Sequence, residues 1–237
     1  MNARAPEREP RCSASRLLRE VGLPVRASAV TDALTFSTRR RGPRTVLVRQ
    51  GEKLAALFFV LAGCLKGEIA GAQGDAQING FYFHGDSIGL DGLADRVWHR
   101  TVIAVEHSLI ALLPLDQLAE SIRDTQAMTD FFQHIVGREL DLQSRLHHIV
   151  APPAAEGRLA RFLVEVAARQ AQPGQPVTTA TLSMSRADLA NHLGLAHETI
   201  SRAFAALIRM GCIEVSGKEV RLLEMHALQN FRPGRRE

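Results

Sequence analysis

The sequence predicts an α+β chain: a β-roll, then a long helix, then a smaller helical domain ending in a β-hairpin. Three observations predict it. Residues 28–115 hold short β-rich runs punctuated by glycine, whereas residues 115–150 switch to helical spacing with no proline after Pro114. Beyond Pro152 and Pro153 the texture becomes short amphipathic helices.

The β-rich part reads as TVLVRQ before a GE turn, ALFFVLAGCLKGEIAG, a polar AQGD turn, AQINGFYFHGD and HRTVIAVEHSLIALLP. Runs of that length with regular turns predict antiparallel strands closed into a compact roll, assigned to residues 28–118. Residues 1–27 are arginine-rich with prolines at 6, 10 and 24, and read as a loosely held basic extension around one short helix, SASRLLREV.

Residues 119–151 are assigned to the long helix. Met128, Phe132, Ile135, Glu139, Leu142, Leu146 and Ile149 recur at alternating steps of four and three, the spacing of a coiled-coil seam interrupted once by Glu139. The predicted dimer interface is therefore Met128, Phe132, Ile135, Leu142, Leu146 and Ile149. A second apolar line through Val136, Leu140 and Val150 leaves a face for the chain's own β-domain. The competing interpretation is one helix buried on both sides within a single chain.

The last domain, residues 154–231, contains LSMSRADLANHLGLAHETISRAFAALIRMG. Ser185 and Asp188 have capping-box spacing, which starts a helix at Arg186. Leu189, Ala190 and Leu193 form its buried line. Gly194 suits the left-handed backbone at its end, and Leu195 plugs the corner. In the next helix Ile200, Ala203, Phe204 and Leu207 fall at i, i+3, i+4 and i+7, so they bury one stripe. Glu198, Ser201 and Arg202 then share the opposite face. Two short helices across a glycine turn, with CIEVSGKEVRLLE behind them as a hairpin wing, predict a winged helix-turn-helix. Its second helix would enter a DNA major groove.

The chemistry of that face suits base edges. Arg202 can donate twice to guanine O6 and N7, Glu198 can accept from cytosine N4, and Ser201 can bond a base edge or phosphate. His197, Thr199 and Ser185 flank them, and Lys218 at the wing tip is placed for a phosphate. The bland alternative is a surface ion pair between Glu198 and Arg202 at i,i+4.

Composition narrows the classes. At 46% apolar and 23% charged the chain can bury a core, and it has no apolar run of about 18 residues and no secretory h-region, so no membrane partner and a cytoplasmic location are expected. Residues 1–50 carry 11 Lys and Arg against 4 Asp and Glu, residues 51–150 carry 7 against 13, and residues 151–237 carry 11 against 8. The ends attract polyanions and the middle repels them. Cys12, Cys64 and Cys212 are too scattered for a disulfide framework or a CxxC metal site.

On VRQGE, LFFVLAGCLK, GFYFHGDSIGLDGL, EGRLARFL and SRADLANHLGLAHETISR, the chain resembles the Crp/Fnr family of bacterial transcription regulators from about residue 30 to 231. The resemblance implies a cyclic-nucleotide-binding-like β-roll as sensor domain, a dimerisation helix and a winged helix that binds double-stranded DNA as a homodimer. Glu198, Ser201 and Arg202 match the base-reading positions of the fumarate-and-nitrate regulator branch, which implies an inverted repeat of TTGAY-type half-sites. Activation would require contact with RNA polymerase, for which the AGAQGDAQ turn is a candidate and a plain hairpin the alternative.

No cofactor is evident. The oxygen-sensing branch holds an iron–sulfur cluster with four cysteines, but here only Cys12 lies in the N-terminal segment and Ala111 stands where the β-domain cysteine would be, so that cluster is not expected. The cyclic-nucleotide branch uses a glycine-glutamate pair followed by an arginine and a small hydroxyl residue. Here Gly89 precedes Leu90 in place of the ribose-binding glutamate, while Arg100 and Thr101 match the later pair and could hold a phosphate. Nine histidines leave haem open as a further effector. GDSIG at 85–89 imitates a serine-hydrolase signature, but no GxSxG elbow or Asp-x-x-His pair accompanies Ser87, and an enzyme is not expected.

Overall fold

A computed structural model describes residues 11–13, 35–71, 74–124, 126–151, 154–171 and 174–231. Two compact units form, Met1–Gly74 with Phe81–Glu139 and Asp75–Gly80 with Leu140–Glu237. Of the short helix read in SASRLLREV, Ser13 belongs to a strand and residues 14–21 lie outside the described residues.

The first unit holds β1 (Arg11–Ser13), β2 (Thr35–Arg41), β3 (Val46–Val48), β4 (Ala56–Ala62), β5 (Leu65–Ala70), β7 (Ser87–Ile88), β8 (Thr101–Ala104) and β9 (Ser108–Pro114); β6 (Ala76–Tyr82) ends in it. They form a five-stranded sheet in the order β1-β2-β9-β4-β7 and a four-stranded sheet in the order β3-β8-β5-β6. Strand β4 is buried from Leu57 to Val60 rather than alternating, because both of its faces are covered. Phe58 packs on Trp98 with ring centroids 4.9 Å apart, while Phe59 turns the other way toward Phe36 and Phe131 at 6.0 and 6.1 Å.

Strand β1 corrects the reading of residues 1–27 as only a loose extension. Arg11, Cys12 and Ser13 pair antiparallel with Ser37, Phe36 and Thr35. Three residues carry no readable period of their own.

The long helix is two helices, α1 (Leu115–Asp124) and α2 (Gln126–Val150), the second ending before Pro152. Its seam also needs correction. Ile135 is 2% exposed in the core of the β-roll beside Phe131, and Ile149 is 4% exposed. Both hold α2 to its own chain. Phe132 packs half-buried on the same core, and Leu142 and Leu146 are half-buried. Among the described side chains of α2 the most exposed large apolar residues are Leu140 at 66% and Val150 at 38%, from the second line. Spacing alone finds two apolar stripes on this helix and cannot say which one meets the sheet. The side chain of Met128 lies outside the described residues.

The second unit contains α3 (Ala155–Gln170), β10 (Thr179–Thr181), α4 (Arg186–Leu193), α5 (His197–Arg209), β11 (Ile213–Ser216), β12 (Glu219–Leu222) and α6 (Met225–Gln229). Its strands form a sheet in the order β10-β12-β11. Leu159, Leu163 and Val166 of α3, Leu189 and Leu193 of α4, and Ile200 and Leu207 of α5 are buried, as are Ile213 and Leu228.

Candidate nucleic-acid interface

Helix α4 starts where its cap dictates. Ser185 Oγ accepts from Asp188 N at 3.0 Å and donates to Asp188 Oδ2 at 2.9 Å, which satisfies an amide that a helix N-terminus otherwise leaves open. At the other end Gly194 takes φ 63° and ψ 40°, where a side chain would be strained. The Leu193 carbonyl is then held by Arg158 Nη1 of α3 at 3.0 Å. Arg158 had no signature, because its partner lies 35 residues away in sequence.

The turn sets the second helix in place. Ile200, Ala203, Phe204 and Leu207 of α5 are buried, and Glu198, Ser201 and Arg202 are exposed on the opposite face together with His197. Arg202 Nη2 donates to Thr199 Oγ1 at 3.3 Å, and Ser201 Oγ donates back to the His197 carbonyl at 3.2 Å. Arg202 does not pair with Glu198, so the ion-pair alternative fails. The glutamate's acceptors and most of the arginine's donors stay open to a partner.

Two further contacts escaped the sequence. The Arg186 guanidinium lies 3.2 Å from the centroid of the Phe204 ring, a cation–π stack linking α4 to α5, and burial lowers its pKa. His192 is buried against Phe162 and bonds the Ile78 carbonyl through Nδ1 at 3.2 Å. Burial holds its pKa below the usual histidine value, which keeps the ring neutral.

The wing forms as a hairpin of β11 and β12, with Gly217 at φ 59° and Lys218 exposed at the tip. Glu214 and Arg221 face each other across it, 2.8 Å apart. Gln170 of α3 clamps β10 with its side-chain amide, accepting from Thr181 N at 2.7 Å and donating to Thr181 O at 2.9 Å.

In the β-roll the residues read as an effector site are brought close but are otherwise engaged. Gly89 is buried at φ 106° and opens a short 3-10 turn, Leu90–Gly92. Thr101 Oγ1 accepts from Gln50 N at 3.1 Å. Arg100 is not free to hold a phosphate: Asp91 and Tyr82, neither singled out in the sequence, take its guanidinium. The GDSIG motif is structural. Asp86 Oδ2 closes a turn by accepting from Phe83 N at 2.7 Å, and Ser87 is buried in β7 opposite Phe59. Among the described residues no group of three or more His, Cys, Asp or Glu could hold a metal ion, and no helix is long and apolar enough to cross a membrane.

A β-roll followed by a winged helix-turn-helix that exposes a polar face defines a DNA-binding regulator, and comparison with known proteins agrees. Residues 157–231 match the family model of the Crp-like helix-turn-helix domain, and residues 38–125 match that of the cyclic nucleotide-binding domain. The chain is 31% identical to electron transport regulator A of Shewanella oneidensis over 77% of its own length and 73% of the relative's. It is 30% identical to the transcriptional activator protein Anr of Pseudomonas protegens over 81% and 80%. The structure of FixK2 from Bradyrhizobium japonicum has the same fold, with a TM-score of 0.73, 23% identity, and coverage of 85% of this chain and 99% of that one. The chain belongs to the Crp/Fnr family of transcription regulators.

Proposed function

We propose that the chain acts as a homodimer that reads an inverted repeat of TTGAY-type half-sites and contacts RNA polymerase. It would control genes in response to oxygen, nitric oxide or another metabolic signal. The observation that carries the reading is the joint exposure of Glu198, Ser201 and Arg202 on the face of α5 opposite its buried stripe, with Glu198 and Arg202 unpaired to each other. That face offers a bidentate donor for guanine and a carboxylate acceptor for cytosine. Exposed Leu140 and Val150 on α2 support a second copy, since apolar side chains on a long helix gain by being covered. Two copies would place their reading helices on half-sites about 34–36 Å apart. Similarity to an electron transport regulator and to a transcriptional activator supports a respiratory role and activation.

Gel-shift titration on the repeat and on single-base variants tests the reading. Arg202→Ala removes discrimination at one position, a loss of about 1–3 kcal/mol, whereas Lys218→Ala weakens all sequences alike and lowers the salt slope by about 1. Full discrimination by Arg202→Ala would refute the assignment. Genome-wide footprints with and without oxygen or nitric oxide report the signal.

A further inference from the structure

Arg100 sits at the mouth of β8 and is 6% exposed, so its charge requires a counter-charge close by. The chain supplies one. Asp91 Oδ2 accepts from Arg100 Nε at 3.2 Å and from Nη2 at 2.6 Å, and Nη1 donates to the Tyr82 hydroxyl. Asp91 lies on the 3-10 turn begun by Gly89, and Tyr82 on the inner end of β6. Burial pushes the Tyr82 phenol up to about 12, against the pull of Arg100, so it stays a neutral partner. Burial also works against the Arg100 charge, yet Tyr82 and Asp91 outweigh it and hold the guanidinium pKa above its ordinary value. His99 Nδ1 approaches the same Asp91 oxygen at 3.9 Å, and the charge of Glu139 bears on Tyr82.

The matched cyclic nucleotide-binding domain implies a ligand carrying one phosphate anion. The residues present do not fit it. An incoming phosphate must displace Asp91 from Arg100 and leave that carboxylate beside a second anion, and Leu90 offers no acceptor or donor to a sugar hydroxyl. A carboxylate already fixed in the turn competes at a high effective concentration, with little ordering left to complete.

We propose that Asp91 is a built-in counter-anion occupying the phosphate seat of the β-roll, so that this chain binds DNA without a cyclic nucleotide and acquires an anion site only when Asp91 is removed. The DNA half of this statement rests on the reading of the winged helix given above; the occupancy of Arg100 is measurable without DNA.

The test is calorimetry on the full chain with cyclic AMP, cyclic GMP and inorganic phosphate. Wild type shows no saturable binding at millimolar ligand. Asp91→Ala and Asp91→Asn each bind at least one of these anions saturably, with half-saturation at least about tenfold below the highest concentration at which wild type shows none, and the double variant Asp91→Ala, Arg100→Ala loses that binding. Because either single variant leaves a buried cation short of its partner, thermal melts accompany the titrations. Phosphate raises the melting temperature of the Asp91 variants at least about 3 °C more than that of wild type. Nucleotide binding by wild type that Arg100→Ala abolishes would overturn the assignment. So would Asp91 variants that gain neither affinity nor an anion-dependent melting shift. Gel shifts separate the two claims: wild-type DNA affinity that rises with cyclic nucleotide overturns the proposal. Failure to bind any repeat, with calorimetry as expected, refutes the DNA reading and leaves the counter-anion standing.

Discussion

Ser185 shows how one side chain can be claimed twice. The sequence proposed it both as a helix cap and as a DNA contact, and its hydroxyl is committed to both the amide and the carboxylate of Asp188. Ser185→Ala should therefore cost about 1 kcal/mol in urea denaturation while leaving base discrimination in gel shifts unchanged. His192 makes a second prediction. Its folded pKa is depressed by burial, so just below the unfolded value of about 6.5 the unfolded chain holds a proton that the folded chain does not. Stability is complete above that pH and declines as pH falls through it. Urea midpoints at pH 7.5 and 5.5 should differ more in wild type than in His192→Gln, which removes the titrating ring but keeps a donor for the Ile78 carbonyl.

At the scale of elements, the readable features were those whose cause lies within a few residues. The cap at Ser185, the left-handed Gly194, the stripe through Ile200, Ala203, Phe204 and Leu207 and the hairpin around Gly217 and Lys218 each depend on local spacing. They folded as read. Helix α2 was harder because two apolar lines run along it, and the sheet took Phe131 and Ile135. Ile135 and Ile149 are buried within the single chain, and the dimer interface proposed above is placed instead on exposed Leu140 and Val150. Leu140→Glu should shift the sedimenting species toward the monomer without unfolding it, since the residue is solvent-facing in the single chain. Ile149→Glu should instead lower the melting temperature, because it places a carboxylate in a buried position. Strand β1 was invisible for another reason: three residues become a strand only because β2 offers an open edge.

For the whole molecule, charge and family agree. The C-terminal third carries more Lys and Arg than Asp and Glu, and the winged unit within it exposes Glu198, Ser201 and Arg202. Raising salt should weaken binding to every duplex, with the cognate repeat retaining its advantage because base contacts depend less on released counterions than phosphate contacts do. The sequence by itself determined the order β-roll, long helix and winged helix, the helix-turn-helix and the residues it presents, since periodicity, caps and turn glycines act over a few residues. Tertiary structure alone decided that Arg100 is ion-paired with Asp91 and hydrogen-bonded to Tyr82, that Arg158 holds the end of α4, and which stripe of α2 is buried. Those outcomes depend on groups from different elements meeting after the chain has closed, and no local spacing encodes which pairs will meet.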